Sequence, residues 1–116
     1  RALQHLKIIP EQKTAYIYLS QDDLNEFDYQ KGDTEGIVNY GLSLKGINFA
    51  AIFIENKEEN MIKISFRSEG SFDVNEFARS YFNGGGHINA AGGKSFSSLT
   101  ETIAKFETIL NDINKH

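Results

Sequence analysis

The sequence predicts an α/β fold in which helices pack on a mixed β-sheet. Segments with strand alternation are interleaved with amphipathic helical segments along the 116 residues. A continuous apolar run over 47–55 is typical of a strand buried on both faces, and the polar segment 56–60 joins it to a second strand as a hairpin. Because a hairpin is combined with helical crossovers, we expect both antiparallel and parallel neighbours in the sheet.

The first half of the chain is predicted to form a helix end, a strand, two helices and the buried strand. Leu3 and Leu6 on one face, followed by Pro10, indicate the end of a helix. Alternating aliphatic and aromatic side chains then indicate a strand. Ser20 has the position of a helix cap, and Gly46 has the stop position of the longer second helix. The predicted bounds are 2–8, 15–19, 21–27, 33–44 and 47–55.

The second half is predicted to contain a strand, a helix, a glycine-rich segment, a short strand and a final helix. In the strand, apolar residues alternate with polar ones, the last of which is Arg67. Asp73 and Glu76 have capping-box spacing before an amphipathic stripe, and Ser98 and Glu101 repeat that spacing before the last helix. The predicted bounds are 62–67, 73–82, 94–97 and 98–113.

The composition indicates one ordinary domain from a reducing compartment. It is 40% hydrophobic and 24% charged and contains no cysteine, which suits the cytoplasm. The apolar run 49–54 is too short to cross a membrane, and no signal peptide is visible. Because the chain begins at Arg1, we expect it to be a fragment of a longer protein.

The charge balance limits the ligands that this domain can attract. Its net charge of −4 gives no long-range attraction for duplex nucleic acid, whose binding depends on several lysines or arginines. A phosphate-bearing ligand is therefore expected to be small and held by a few contacts.

The glycine-rich segment 84–93 is the candidate functional segment. Its three glycines would expose backbone N–H groups to an anion at a helix start, and His87 would add a protonatable donor. Arg67 ends its strand nearby in sequence and offers bidentate hydrogen bonds to the same phosphate. The alternatives are a plain turn for the glycines and a surface ion pair for Arg67. No metal-ligand cluster or nucleophile motif accompanies them, so the chain is predicted to hold a phosphate without cleaving it.

Several segments together resemble the DHH-associated domain, the C-terminal substrate-binding domain of DHH-family phosphoesterases. The similarity is greatest to the oligoribonuclease and 3'-phosphoadenosine 5'-phosphate phosphatase branch, some of whose members are called exopolyphosphatase-related. Asn83 stands where the family often has a further glycine, and asparagine also tolerates turn conformations. The matching segments are 33–39, 63–68, 73–78, 84–87 and 90–92.

The resemblance implies a two-domain enzyme of which this chain is the second part. Residues 1–10 would end an interdomain linker helix, and 11–116 would form the substrate-binding domain. An N-terminal DHH domain in cis, missing from this chain, would hold two divalent ions, manganese or magnesium, so no catalytic residue, metal ligand or cofactor is expected here. The parent would hydrolyse short oligoribonucleotides or 3'-phosphoadenosine 5'-phosphate in the cytoplasm, with a homodimer left open. The residues implied to bind substrate phosphate are Arg67, Ser68, Gly84, Gly85, Gly86 and His87, with Asn89 in the motif without an assigned role.

Other functional classes stay open at this point. The domain is alternatively a non-catalytic RNA-binding or dimerisation module, as in the C-terminal domains of alanyl-tRNA synthetases. It is also alternatively the equivalent domain of a single-strand DNA exonuclease or of a cyclic-dinucleotide phosphodiesterase. The acidic balance argues against autonomous RNA binding.

Overall fold

A computed structural model describes residues 5–26 and 33–113 of the chain. Within them, six strands form one sheet in the order β1-β2-β3-β4-β6-β5, with four α-helices packed on it. The predicted α/β class is confirmed. The elements are β1 Leu6–Ile9, β2 Thr14–Leu19, α1 Gln21–Glu26, α2 Asp33–Ser43, β3 Phe49–Asn56, β4 Met61–Ser68, α3 Val74–Tyr81, β5 Gly85–His87, β6 Ala90–Ser95 and α4 Leu99–Ile113.

The sheet is mixed, as predicted. β2 and β3 run parallel, which requires the crossover that α1 and α2 provide. The other neighbouring strands run antiparallel. β3 and β4 form the predicted hairpin, in which Asn56 pairs with Met61 across the polar turn. This topology places β4 between β3 and the glycine-rich strands.

Helices cover both faces of the sheet. α3 and α4 pack on one face over a phenylalanine-rich core, whereas α1 and α2 pack on the other over a smaller aliphatic cluster. Phe66 of β4 and Phe106 of α4 are fully buried, and the Phe66 ring lies 5.3 Å from that of Phe77 on α3. Burial of these rings fixes α3 against the end of the sheet that carries the glycine-rich segment.

The predicted helix caps are confirmed. The Ser20 hydroxyl accepts a backbone N–H in α1 at 3.1 Å. The Asp73 carboxylate accepts the N–H of Glu76 at 3.0 Å, and the Ser98 hydroxyl accepts that of Glu101 at 3.1 Å. These side chains bind N–H groups that the first helical turn leaves without a partner, and so they set where α1, α3 and α4 begin.

The predicted N-terminal helix is wrong where it can be compared. Leu6–Ile9 form strand β1, which pairs antiparallel with β2, and Pro10 begins a short 3₁₀ turn. Positions 2–4 of the predicted helix lie outside the described residues. The division of the chain into a linker over 1–10 and a domain over 11–116 stays a prediction. No helix in the described part of the chain is long and apolar enough to cross a membrane.

Candidate functional site

The glycine-rich segment forms a β-hairpin and not the predicted helix start. β5 pairs antiparallel with β6 across the two-residue turn Ile88-Asn89, with His87 opposite Ala90. The predicted strand over 94–97 begins four residues earlier, at Ala90. A helix N-terminus at this place was therefore the wrong geometry. The reason is that β6 completes its hydrogen bonds against β4, with Ala90 opposite Arg67, and β5 then adds to the edge.

Two of the glycine N–H groups that were expected to face an anion are bound within the fold. The N–H of Gly84 donates to the carbonyl of Ala78 at 3.2 Å, at the end of α3. The N–H of Gly86 donates to the side-chain oxygen of Asn75 at 2.8 Å. Asn83 takes a left-handed conformation with φ +52°, which is the turn geometry that asparagine tolerates.

Close packing of the chain on itself explains two of the glycines. A Cβ at Gly84 would lie 1.9 Å from the carbonyl oxygen of Gly92, and a Cβ at Gly93 would lie 2.9 Å from that of Phe82. The Gly92 oxygen belongs to β6, and the Phe82 oxygen, at the end of α3, accepts the N–H of Lys94. A side chain at position 84 would therefore displace β5 from β6, and one at position 93 would displace the end of α3 from β6.

The hairpin turn is tied to both neighbouring elements. Ser68 at the end of β4 is 4% exposed, and its hydroxyl donates to the carbonyl of Phe72 at 2.7 Å. The same hydroxyl accepts a hydrogen bond from the Asn89 amide at 2.9 Å. The first N–H of α3, from Val74, donates to the carbonyl of Ile88 at 2.8 Å. Ser68 and Asn89, both predicted to lie at the phosphate site, thus hold the turn in place.

Arg67 forms the ion pair that was the alternative to phosphate binding. Its Nη2 lies 2.6 Å from Oε1 of Glu35 on α2, and its Nε donates to Oε2 at 3.2 Å. Its Nη1 donates to the carbonyl of Phe66 at 2.9 Å. The hydrogen bond from Arg67 is the main reason that the pKa of Glu35 is lowered, against an opposing effect of burial. The guanidinium is therefore directed onto α2, and its predicted contact with phosphate stays a prediction.

His87 is the most accessible of the predicted polar side chains. It is exposed, and its imidazole makes no hydrogen bond or ion pair with any residue in 5–26 or 33–113. His87 and Arg67 both pair with Ala90, from its two sides, so the three lie in one row across β5, β6 and β4. Two strand spacings separate the Cα atoms of His87 and Arg67 by about 10 Å, with only a methyl group between them.

The described segments hold no cluster that could bind a metal. Nowhere in them do three histidine, aspartate or glutamate side chains come together in a ligand set. A divalent ion that acts on a phosphate bound here would need ligands from outside these residues.

Three residues of this region were not predicted to belong to the site. Glu35 lies 32 positions from Arg67, and no local pattern links the two. Asn75 lies on α3 and binds the N–H of Gly86. Arg79, one helical turn later, packs its stem on Gly85, where a Cβ would lie 3.2 Å from its Cγ. The i, i+4 spacing of Asn75 and Arg79 on a predicted helix was the one available signal.

Fold and hairpin define a three-layer α/β domain whose sheet ends in an anchored glycine-histidine hairpin. The sequence matches the DHHA1 domain family over residues 11–115. The chain belongs to the DHHA1 domain family, as the sequence resemblance indicated. No match was found among curated proteins.

Solved structures with the same fold include three bacterial proteins. An exopolyphosphatase-related protein from Bacteroides fragilis has 41% identity and a TM-score of 0.88, over 96% of this chain and 32% of its own. The pGpG-specific phosphodiesterase PggH from Vibrio cholerae has 15% identity and a TM-score of 0.64, over 97% and 36%. An uncharacterized protein from Helicobacter pylori G27 has 25% identity and a TM-score of 0.52, over 84% and 26%. The chain thus spans about a third of the length of the first two proteins.

Proposed function

We propose that this chain is the substrate-binding domain of a DHH-family phosphoesterase that hydrolyses short oligoribonucleotides or 3'-phosphoadenosine 5'-phosphate. Membership of the DHHA1 domain family and 41% identity with an exopolyphosphatase-related protein support the class. The observation that carries the proposal is an exposed His87 that has no hydrogen-bond or ion-pair partner among the residues the structure describes, placed on a hairpin that is anchored on both sides. Such a group is accessible and held in place for a ligand.

In this proposal His87 donates a hydrogen bond to a phosphate oxygen of the substrate. The bonds from Asn75, Ser68 and Asn89 fix the strand and turn on either side of it. The backbone that carries the imidazole therefore loses little freedom when the ligand binds, and it keeps the donor near the place where negative charge grows on the phosphate. Charge-assisted hydrogen bonds of this kind are among the strongest that side chains make.

Arg67 on β4, two strands away from His87 on β5, would also contribute to binding the phosphate. Its guanidinium has five N–H donors, and the bonds to Glu35 and Phe66 use three of them. Two donors are left for a phosphate, while Glu35 holds the plane of the group in a fixed orientation. In this arrangement Glu35 positions Arg67 and itself touches no substrate.

The hydrolytic chemistry would come from outside the chain. Two divalent ions, manganese or magnesium, bound by a DHH domain in cis would supply an activated water. The residues of this chain would bind the substrate phosphate, orient it and limit its motion. The proposal includes a cytoplasmic location and leaves room for a homodimer of the full-length protein.

The test compares two histidines in the intact protein. We expect His87→Gln to lower kcat/KM for a 5'-phosphorylated dinucleotide roughly ten- to hundredfold, because a charge-assisted hydrogen bond contributes about 1.5–3 kcal/mol. His5→Gln is the matched control, since His5 contacts Asp23 on α1 and its ring lies 5.0 Å from that of Tyr18. Steady-state hydrolysis with added Mn²⁺ provides the measurement, and thermal melts check that both variants fold. Unchanged kinetics in the His87 variant would contradict the assigned role.

The same protein distinguishes the alternative of an RNA-binding or dimerisation module. We expect weak binding of a structured RNA, because the net charge of −4 opposes it. Tight, salt-sensitive binding of that RNA without hydrolysis of the dinucleotide would favour the module.

A further inference from the structure

The geometry points to Arg79 as a further phosphate-binding residue, which contacts a second phosphate of the ligand that His87 holds. This inference rests on the proposed function of the hairpin. It adds a residue of α3, outside the glycine-histidine segment, and it assigns to the site a ligand with two phosphate groups.

The first observation is the packing of Arg79 on the glycine strand. A Cβ at Gly85 would lie 3.2 Å from Cγ and 3.6 Å from Cδ of Arg79. The stem of Arg79 thus lies where a side chain at position 85 would otherwise project. Because glycine has no side chain, the stem of Arg79 can pack against β5 here. This is a local reason for a glycine at position 85.

The second observation is the direction in which this side chain extends. α3 and β5 run in opposite directions, since the N–H of Val74 at the start of α3 binds the carbonyl of Ile88, just after His87. Helical side chains tilt toward the N-terminus of their helix. From this tilt we expect the guanidinium of Arg79 to extend along β5 from Gly85 toward His87. The two strand positions are separated by about 6.6 Å, at 3.3 Å per residue.

The third observation is that no described residue neutralises the charge of Arg79. Its side chain is exposed and makes no hydrogen bond or ion pair within the described ranges. Glu76, one turn earlier on α3, forms no ion pair with it in those ranges. Arg67, in contrast, is bound by Glu35 and only 19% exposed. A ligand phosphate can thus approach Arg79 without displacing a carboxylate.

These observations together favour a short single-stranded nucleotide with two phosphates. One phosphate would meet the imidazole of His87 and the other the guanidinium of Arg79, on either side of the Gly85-Gly86 backbone. A nucleoside monophosphate would occupy the His87 position alone. Arg79 would then act mainly on the affinity for the longer ligand.

The test is hydrolysis by the intact protein with Arg79→Gln, Arg79→Lys and, as a matched loss of charge, Lys63→Gln. Lys63 on β4 forms an exposed ion pair with Glu59 of the turn before β4. For a 5'-phosphorylated dinucleotide we expect Arg79→Gln to raise KM about three- to tenfold, a range that allows for the exposure of the site. We expect kcat to stay within about twofold, because uniform binding is lost. Arg79→Lys should keep part of the affinity.

A competitive inhibitor with one phosphate separates the two positions. The inhibition constant of a nucleoside 5'-monophosphate should change less than about twofold in Arg79→Gln. A KM for Arg79→Gln equal to that of Lys63→Gln would overturn the inference and leave the proposed function standing. Failure of the wild-type protein to hydrolyse or bind the dinucleotide would instead refute the proposed function, and with it the inference.

Discussion

Substitution of Gly84 by alanine tests whether the glycine segment is required by the packing of the hairpin. The new Cβ would lie 1.9 Å from the carbonyl oxygen of Gly92 and 2.6 Å from the Cα of Gly93, so β5 must move away from β6. Overpacking against groups that cannot give way costs about 1–3 kcal/mol and sometimes more, and we expect about 3 kcal/mol here. For 116 residues the unfolding entropy is about 0.24 kcal/mol/K, so the melting temperature should fall by roughly 12 °C.

Gly36→Ala is the matched control for this substitution. Gly36 lies in α2, and a Cβ there would meet nothing within 4 Å. Alanine should therefore raise stability by about 0.5–1 kcal/mol, through the helix propensity alone. Urea unfolding and thermal melts of both variants provide the measurement. A Gly84→Ala protein that melts within about 2 °C of wild type would refute the packing argument. If it also lost phosphate binding, the glycine would serve the ligand.

Two further substitutions test the anchoring of the site and the acid stability of the sheet. Ser68→Ala should lower the free energy of unfolding in urea by about 1–3 kcal/mol, since the Phe72 carbonyl loses the Ser68 donor and the Asn89 amide loses one of its two acceptors. A smaller loss would mean that the turn repacks. Burial opposes a low pKa for Glu107, but hydrogen bonds from Lys7 and Tyr16 hold the pKa below its ordinary value of 4.5. The ionised carboxylate therefore stabilises the fold fully above the ordinary pKa, and this effect is lost as the pH falls through the lowered pKa. The difference in the free energy of unfolding between wild type and Glu107→Gln should therefore be smaller at about pH 3 than at about pH 7. A gap that is constant with pH would contradict this assignment.

The helices could largely be predicted because their signals are local. A cap and its partner lie three residues apart, as with Asp73 and Glu76, so the sequence shows both at once. The alternation along β4 is equally local, and its apolar residues are buried as expected. Strand β1 was not predicted, because the helical spacing of two leucines was the dominant pattern in a short segment. The backbone of β1 makes its hydrogen bonds to β2, with Leu6 opposite Ile17. No pattern within residues 6–9 reveals that partner.

The glycine-histidine segment could be singled out from the sequence, but its hairpin geometry could not. The glycine triplet and His87 stand out in any inspection of the sequence, because three adjacent glycines need a structural or functional reason. Their hairpin form depends on β6 pairing with β4, which sequence spacing does not specify. The Asn75 bond to Gly86 spans 11 residues and joins a helix to a strand.

The amino-acid order alone determined the class of fold and the caps of α1, α3 and α4, and it singled out the glycine-histidine segment that is predicted to bind a ligand. Each of these depends on interactions between residues a few positions apart. The tertiary structure alone decided which cations are neutralised: Arg67 meets Glu35 across 32 residues, whereas Arg79 makes no ion pair within the described ranges. The physical reason is that a charge is neutralised by whatever lies within a few ångströms of it, and only the packing of α2 and α3 on the sheet sets those distances.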